Sequence, residues 1–448
     1  MYYFNQLKEL WGEVRVGDNV VLNLDENVGV FPLMPKKEVV ILEGIGGEIW
    51  RNIEKNSSIE NTIEYFMKMY KVDKDELIDD MYNFIIALLN EGLITIQSSK
   101  LKKDELSAEI EDFIDKESIA YNYSLIYSYY ERKLKPYKVF LELLYTCNLR
   151  CKHCYLGTEK DTDYELVNFE RLKSLIFEMK ENGVVELFIT GGEAGIYPQL
   201  IELLEFACSQ KLIVTLLTNG TCFTDDDLDK LSSIGLHDVR ISFYGLEEYH
   251  DNFVDMKGAF AKSLNTLKIL NSKCGIGTAS AIITKENIDQ LIKLRQYLEK
   301  SNIDMDISPL IFPTLYGDLE PTEQRIEIES LKDVIKTLDI RVGGSICTAG
   351  ISRFRITPYG EVNPCEMLRN INLGNIKNSS FKEILESTAR EDWIEKLNKF
   401  KDESCSGCLK KKYCINCIGL GSLESDKENI SKYACELAQT QYSIYEEI

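Results

Sequence analysis

From residue 138 onward, strand patterns alternate with helical patterns, and this alternation restricts the possible folds more than any other feature of the sequence. Six short apolar runs predict strands, at residues 139–145, 186–190, 212–218, 238–244, 277–283 and 306–312. Helical patterns lie between them, for example at residues 169–182 and 258–270. Such alternation is typical of right-handed βα units on a parallel sheet. Six units are too few to close an eight-stranded barrel, so we expect an α/β fold with an open, partial (β/α)6 barrel.

Three thiols directly follow the first predicted strand, at C-x3-C-x2-C spacing. They are Cys147, Cys151 and Cys154. Thiolates close together on a loop suit a soft metal centre. Iron–sulfur clusters normally take four protein thiolates, so three would leave one iron open to another ligand.

Two further features lie at the ends of predicted strands, where sites in such folds gather. Gly191, Gly192 and Glu193 follow the second strand. Paired glycines let backbone approach a ligand closely, and a glutamate can accept a hydrogen bond from an ammonium group. Ser242 ends the fourth strand and could bond either a ribose hydroxyl or its own local backbone.

The first 97 residues predict a small winged-helix-like unit. Two apolar runs at residues 20–24 and 28–33 predict a hairpin, three helical patterns follow, and residues 93–96 predict a closing strand. The unit is either an accessory domain or a docking platform whose strand edge accepts an extended peptide. Residues 98–137 are charged, then rich in tyrosine, and predict a linker with a helix.

The C-terminal region carries a second set of cysteines. They are Cys347, Cys365, Cys405, Cys408, Cys414, Cys417 and Cys435. None of the chain's 13 cysteines precedes Cys147, which argues against a disulfide framework. The helical signals here are weak, so we expect little core and stabilisation by metal, as zinc ribbons or clusters. Cys208, Cys222 and Cys274 lack ligand spacing and receive no function.

Charge and hydropathy exclude other classes. A formal net charge of −21 argues against a nucleic-acid partner held by phosphate contacts. Residues 1–10 lack the pattern of a signal peptide, and no apolar run is long enough to span a membrane. We therefore expect a cytoplasmic protein without nucleic-acid or membrane partners.

The cysteine triplet, the Gly-Gly-Glu sequence and the six βα units together resemble the radical S-adenosylmethionine (SAM) superfamily. The resemblance implies that Cys147, Cys151 and Cys154 ligate a [4Fe–4S] cluster. It also implies that SAM chelates the open iron, with Gly191, Gly192 and Glu193 close to its amine. His153 takes the usual aromatic place near the adenine, and Ser242 lies near the ribose. One-electron reduction then yields a 5′-deoxyadenosyl radical, which abstracts hydrogen from a substrate.

The C-terminal cysteines resemble the SPASM extension of that superfamily, which implies two auxiliary [4Fe–4S] clusters and three clusters in total. By this resemblance Cys405, Cys408, Cys414 and Cys435 hold one cluster completely. Cys347, Cys365 and Cys417 hold the other, with one iron open. The chain departs from the frequent C-x3-C pattern at Cys414-Ile415-Asn416-Cys417.

The N-terminal unit is similar to the peptide-recognition chaperone of pyrroloquinoline quinone synthesis. The whole chain therefore resembles sactipeptide and ranthipeptide maturases, which implies a precursor-peptide substrate, a thioether crosslink and an external electron donor of the flavodoxin or ferredoxin type. Alternatives are carbon–carbon crosslinking, epimerisation or formylglycine-type oxidation on the same scaffold, or a non-catalytic electron carrier. No protein side chain is assigned as a catalytic residue. The expected domains are residues 1–97 for peptide recognition, 98–137 as linker, 138–320 as barrel, 321–345 as bridge and 346–448 as the auxiliary-cluster domain.

Overall fold

The chain divides after Tyr129 into two units, Met1–Tyr129 and Tyr130–Ile448, which are described separately. The structure is a computed structural model. It describes residues 13–16, 19–25, 27–32, 39–70, 74–91, 93–97, 116–157, 165–338, 340, 347–404, 407–424 and 430–446.

In its described residues, the first unit contains a three-stranded sheet, a two-stranded ribbon, three complete helices and most of a fourth. Its strands are β1 (Glu13–Val16), β2 (Asn19–Leu24), β3 (Asn27–Pro32), β4 (Val40–Leu42) and β5 (Ile94–Gln97). Its helices are α1 (Ile45–Asn56), α2 (Ile59–Met69) and α3 (Lys74–Asn90), and α4 (Lys116–Arg132) crosses the boundary between the units in sequence. The antiparallel order β2-β3-β4 contains the predicted hairpin, and β5 pairs antiparallel with β1.

Local chemistry explains the boundaries in the first unit. Asp25, with φ of 55°, turns the chain between β2 and β3. Ser58 caps α2, because its side chain accepts from the N–H of Asn61 at 3.2 Å. The sequence predicts neither β1 nor β4. Strand β4 is too short to show the alternation of a strand.

The second unit is built on one nine-stranded sheet. Six parallel strands form the barrel: β6 (Lys138–Glu142), β7 (Glu186–Thr190), β8 (Ile213–Thr218), β9 (Asp238–Phe243), β10 (Gly277–Ile282) and β11 (Met305–Ser308). The other three are β12 (Arg353–Ile356), β13 (Glu361–Asn363) and β14 (Gly374–Asn375), and the order across the sheet is β11-β10-β9-β8-β7-β6-β12-β13-β14. The helices between them are α5 (Phe169–Glu181), α6 (Leu200–Ser209), α7 (Asp225–Leu231), α8 (Glu247–Val254), α9 (Ala259–Cys274) and α10 (Ile288–Glu299). The predicted (β/α)6 barrel is therefore confirmed.

Two predicted barrel strands are shorter than expected. The first ends at Glu142, so residues 143–145 already belong to the cysteine loop. The last ends at Ser308, because Pro309 and Pro313 cannot donate to a sheet ladder.

The C-terminal region continues the barrel sheet and its core, so the expectation of little core is wrong. It contains α11 (Ile328–Leu338), β12 (Arg353–Ile356), β13 (Glu361–Asn363), β14 (Gly374–Asn375), α12 (Phe381–Leu385), α13 (Thr388–Ser404), α14 (Ile418–Glu424) and α15 (Lys432–Tyr445). Strand β12 pairs in parallel with β6, and Arg353 lies opposite Lys138. Phe354, Val362, Phe381 and Trp393 join the barrel residues in one hydrophobic cluster. Among the described residues, no helix is both long and apolar enough to cross a membrane.

Trp50 on α1 is the largest side chain that is fully buried in the first unit, at 0% exposure. Replacing a buried tryptophan with alanine removes apolar contacts and leaves a cavity, so Trp50→Ala should destabilise this unit by about 3–5 kcal/mol. Hydrogen exchange of α1 to α3 measures the free energy of opening. Ile45→Ala is the control, because Ile45 is 59% exposed and its truncation should cost under about 0.5 kcal/mol. Equal effects of the two changes would contradict this packing.

Candidate metal and cofactor centre

The cysteine triplet lies on the loop that leaves β6, at the carboxyl end of the barrel. The loop is held against the end of α8 by its backbone. The N–H of Arg150 donates to the carbonyl of Val254 at 2.9 Å, and the N–H of Lys152 donates to that of Phe253 at 3.2 Å. The Arg150 guanidinium donates to the carbonyls of Cys147 and Leu149, both at 2.8 Å. The thiols are therefore presented by a loop whose backbone is fixed.

Cys147, Cys151 and Cys154 are partly buried and line two cavities. The inner cavity is about 330 Å³ and the outer one about 700 Å³. Both cavities are lined by all three thiols and by Gly192. The structure thus brings the predicted triplet together at one place between two spaces.

Burial makes these thiols poor at losing a proton to water. It raises the pKa of all three, that of Cys151 to about 12, and each negative thiolate would raise the pKa of its neighbours further. A bound cationic metal would reverse that preference, because it replaces the proton. Across the described residues, no three Cys, His, Asp or Glu side chains converge as for a single metal ion. Cluster thiolates bind different iron atoms, so they need not converge on one point.

The loop after β7 packs closely against the cysteine loop at Gly191 and Gly192. A Cβ on Gly192 would lie 2.4 Å from the carbonyl oxygens of Tyr145 and Thr146, and one on Gly191 would lie 2.4 Å from that of Leu144. Gly191 also has φ of 145°, which disfavours any side chain. The sequence predicts a close approach to a ligand here; the structure shows a close approach to the neighbouring loop.

Glu193 lies beneath the inner cavity with 1% of its surface exposed. Its carboxylate accepts from the N–H groups of Gly195 and Asn219, both at 2.7 Å, and from the Thr218 hydroxyl. Burial raises the pKa of Glu193, and these hydrogen bonds oppose that rise. The carboxylate is therefore held in one orientation and faces the cavity.

The sequence interpretation missed the residues that connect Glu193 to the cysteine loop. Asn219 donates through its side chain to Asn148 at 2.9 Å, and Asn148 donates to the Thr221 hydroxyl at 2.8 Å. Asn148 lies within the C-x3-C segment, while Thr218 ends the third barrel strand and Asn219 follows it. A polar pair at the end of an apolar strand was the available signal.

His153 is partly buried, and its two ring nitrogens are fully buried among aromatic side chains. Both of its ring nitrogens lack a hydrogen-bond partner within the described part of the chain. The ring meets Tyr244 and Phe253 edge-on, with centroids 4.9 and 5.3 Å apart. Burial lowers the pKa of His153 to about 4, so the ring is neutral near pH 7. His153, Ser242 and Glu193 all line the inner cavity.

The structure brings together a second group of cysteines, Cys347, Cys365 and Cys417. Burial raises the pKa of all three thiols, that of Cys417 to about 11. The negative charge of Cys347 raises the pKa of Cys365 and Cys417 further, and that of Cys417 raises the pKa of Cys365. Arg353 also acts on these thiols electrostatically and lowers the pKa of each. These three cysteines were grouped on the resemblance, and the structure places them within mutual electrostatic reach.

The third group is described only in part, because Cys405 lies outside the described residues. Cys408 and Cys435 are exposed, and Cys414 is partly buried. The Cys414 thiol lies 4.0 Å from the carbonyl of Ala434, the residue before Cys435. Cys414 is thus next to Cys435 in space, although 21 positions separate them in sequence.

Three family descriptions match successive parts of this chain. Residues 19–94 match coenzyme PQQ synthesis protein D (PqqD), residues 141–298 match the radical SAM superfamily, and residues 347–409 match the iron–sulfur cluster-binding domain called SPASM. The radical SAM match includes the thiols and the Gly-Gly-Glu sequence.

The chain therefore contains a radical SAM domain, which spans residues 141–298. Its cofactors are therefore SAM and [4Fe–4S] clusters, one cluster that binds SAM and auxiliary clusters in the SPASM region.

Two curated relatives of this radical SAM protein come from Bacillus subtilis (strain 168). The antilisterial bacteriocin subtilosin biosynthesis protein AlbA is 29% identical over 67% of this chain and 71% of its own length. The sporulation killing factor maturation protein SkfB is 27% identical over 56% of this chain and 64% of its own length. Among solved structures, Streptococcus suis SuiB bound to precursor peptide SuiA is 16% identical, with a TM-score of 0.59, over 92% of this chain and 97% of that one. SuiB thus shares the fold.

The residues on this radical SAM barrel fit the cofactors of the superfamily. Soft thiol donors match iron, and a fixed carboxylate lies across the inner cavity from them. The buried nitrogens of His153 have no protein partner within the described chain, so a polar ligand edge could pair with them.

Gly192→Ala should displace the cysteine loop, because the added carbon would meet two carbonyl oxygens at 2.4 Å. We expect the variant to lose about one third of the iron after anaerobic reconstitution, since one of three clusters fails to form. Gly235→Ala is the matched control. Gly235 has φ of 83° but no atom within 4 Å of an added Cβ, so the change should cost roughly 1–2 kcal/mol of backbone strain without iron loss. A Gly192→Ala protein with full iron content would contradict the loop contact.

Proposed function

We propose that this chain matures a ribosomally synthesised precursor peptide by closing a thioether between a cysteine sulfur and a carbon of the same peptide. The observation that carries the proposal is the succession of a PqqD unit, a radical SAM barrel and a SPASM region in one chain. The two B. subtilis relatives, named for bacteriocin biosynthesis and killing-factor maturation, support a peptide product.

The site residues take the following roles in this proposal. Cys147, Cys151 and Cys154 hold the SAM-binding cluster, and Gly191, Gly192, Glu193, His153 and Ser242 surround SAM. Cys405, Cys408, Cys414 and Cys435 hold one auxiliary cluster, and Cys347, Cys365 and Cys417 hold the other with an open iron. When bound, SAM and its cluster supply the 5′-deoxyadenosyl radical that removes hydrogen from carbon.

In this proposal the chain's own residues bind the cationic ligand and exclude water from the cavity. Glu193 offers a fixed anionic acceptor, and its three hydrogen-bond donors prevent it from turning away when a cation arrives. His153 and Tyr244 line the cavity, and Phe253 packs against both rings. This aromatic packing helps to exclude water from a reactive radical. The peptide loses one hydrogen from carbon and one from sulfur, and an electron leaves through the auxiliary clusters to an acceptor.

The peptide-recognition domain, residues 1–97, is proposed to bind the leader of the precursor as an added strand. Within the described residues, β2 and β4 each have one side without a partner strand. Tyr65, Met67 and Met69 on α2 are at least 38% exposed and offer an apolar surface. Residues 138–320 then act on the core peptide, and residues 346–448 hold the auxiliary clusters, with 98–137 and 321–345 as connections. An external flavodoxin or ferredoxin supplies electrons in the cytoplasm, where reduced thiols persist.

Co-expression with the precursor peptide and mass spectrometry test the function. Wild-type protein should give a peptide lighter by two hydrogens, with one cysteine no longer open to alkylation. Cys151→Ala should give unmodified peptide, because the SAM-binding cluster lacks a ligand. Cys208→Ala is the control and should modify the peptide normally, because Cys208 packs against the core. Loss of two hydrogens with every thiol still open to alkylation would indicate a carbon–carbon crosslink and contradict the thioether.

Cys365→Ala should separate the two halves of the reaction. If the peptide thiolate binds at the cluster of Cys347, Cys365 and Cys417, this variant should still cleave SAM but form thioether at least tenfold more slowly. Liquid chromatography of 5′-deoxyadenosine and of the peptide measures both rates. Cys274→Ala is the control, since its thiol donates to the carbonyl of Leu270 on its own helix. Thioether formation at the wild-type rate by Cys365→Ala would contradict this role.

A further inference from the structure

A buried charge cluster joins the end of β6 to the SPASM region. Arg355 donates through Nε to Glu142 at 2.9 Å, and Arg369 donates through Nη2 to the other oxygen of the same carboxylate at 2.8 Å. The side chains of Glu142, Arg355 and Arg369 are 0%, 1% and 13% exposed. Arg355 also donates to Asn363. We call Glu142, Arg355 and Arg369 the triad.

The triad contains two cations and one anion. Burial alone would raise the pKa of Glu142, but Arg355 and Arg369 outweigh it and keep that carboxyl ionised. Arg353 and Glu366 form their own ion pair and balance each other. Among the described residues, the triad therefore keeps one positive charge in a poorly solvated place, and a buried charge is costly unless an anion compensates it.

Arg369 of the triad lies beside the cysteine loop. The Arg369 guanidinium carbon is 5.2 Å from the ring centroid of Tyr145 and 5.9 Å from that of Tyr155. Its Nη1 donates to the Tyr145 hydroxyl at 3.0 Å. Tyr145 precedes Cys147 by two positions, and Tyr155 directly follows Cys154. The Arg369 guanidinium therefore lies against two side chains that flank the cysteine loop.

We propose that the triad sets the reduction potential of the cluster on Cys147, Cys151 and Cys154. The inference rests on the ligand assignment in the proposed function. Adding an electron makes a cluster more negative, and a nearby cation in a medium of low dielectric stabilises that product. None of the triad residues lines either cavity at the thiols, so its members act by charge and by positioning the loop.

The test is an EPR-monitored redox titration of the reconstituted full chain. The SAM-binding cluster is identified as the signal that changes when SAM is added. One unit charge at about 10 Å and an effective dielectric constant of about 20 changes the equilibrium constant for reduction roughly tenfold. Arg369→Gln should therefore lower the midpoint potential of that cluster by about 59 mV, the one-electron equivalent of tenfold. Arg369→Lys keeps the charge and should leave the potential near the wild-type value.

Two further variants separate charge from structure. Glu142→Gln removes the anion and should raise the same potential, so its shift is opposite in sign to that of Arg369→Gln. A purely structural role predicts shifts of the same sign, which would overturn the proposal. Arg353→Gln is the matched control, because Arg353 pairs with Glu366, the residue after Cys365, and should shift an auxiliary cluster instead.

The outcomes also distinguish this proposal from the proposed function. A SAM-responsive signal whose potential is unchanged in both Arg369→Gln and Glu142→Gln overturns the triad alone. If the Arg369→Gln protein does not bind iron, the test rests on Glu142→Gln, for which we expect a higher midpoint potential. An unchanged potential in Glu142→Gln would then overturn the proposal. Absence of a SAM-responsive signal in the wild-type protein overturns the ligand assignment itself.

Discussion

The contact between the glycines after β7 and the loop after β6 determines where the three thiols lie. The N–H of Gly192 donates to the carbonyl of Leu144 at 2.7 Å, and the N–H of Glu193 donates to that of Thr146 at 3.0 Å. No side chain fits between the two loops at Gly191 or Gly192. The same contact brings the Glu193 carboxylate to the cavity that the thiols line. One local arrangement therefore positions both the thiols proposed as metal ligands and the carboxylate proposed to accept a cationic ligand.

The SPASM region is structurally part of the barrel, and this explains how cysteine groups far apart in sequence can work together. Strand β12 extends the barrel sheet beside β6, the strand that leads into the cysteine loop. Cys365 follows β13 on the same sheet, and the buried Glu142 ties β6 to Arg355 on β12. Movement of one cysteine group relative to another would require breaking both a sheet and a buried ion pair. Such a frame suits electron transfer, which depends on fixed distances between centres.

The sequence predicted the parts of the fold that depend on local periodicity. Alternating apolar runs located all six barrel strands, and the hairpin of β2 and β3 followed from two runs around Asp25. Strand β12 could not be predicted, because its four residues include Arg353 and Arg355, and arginine does not suggest a buried strand. The buried charge of Arg355 is compensated by Glu142, which lies 213 positions away in the sequence. Asn148, Thr218 and Asn219 were missed for a similar reason: polar residues after strands resemble ordinary loop residues until their partners are known.

The central claim is that three thiols and a facing carboxylate hold SAM at an open iron. Anaerobic incubation of the reconstituted, chemically reduced full chain with SAM, without peptide, tests it most directly through the amount of 5′-deoxyadenosine formed. The account predicts that the wild-type chain forms 5′-deoxyadenosine and methionine in equal amounts. It also predicts that Glu193→Gln, which keeps the size of the side chain but removes its charge, forms them far more slowly. A protein that carries its full complement of reduced clusters, yet forms no 5′-deoxyadenosine, would contradict the account.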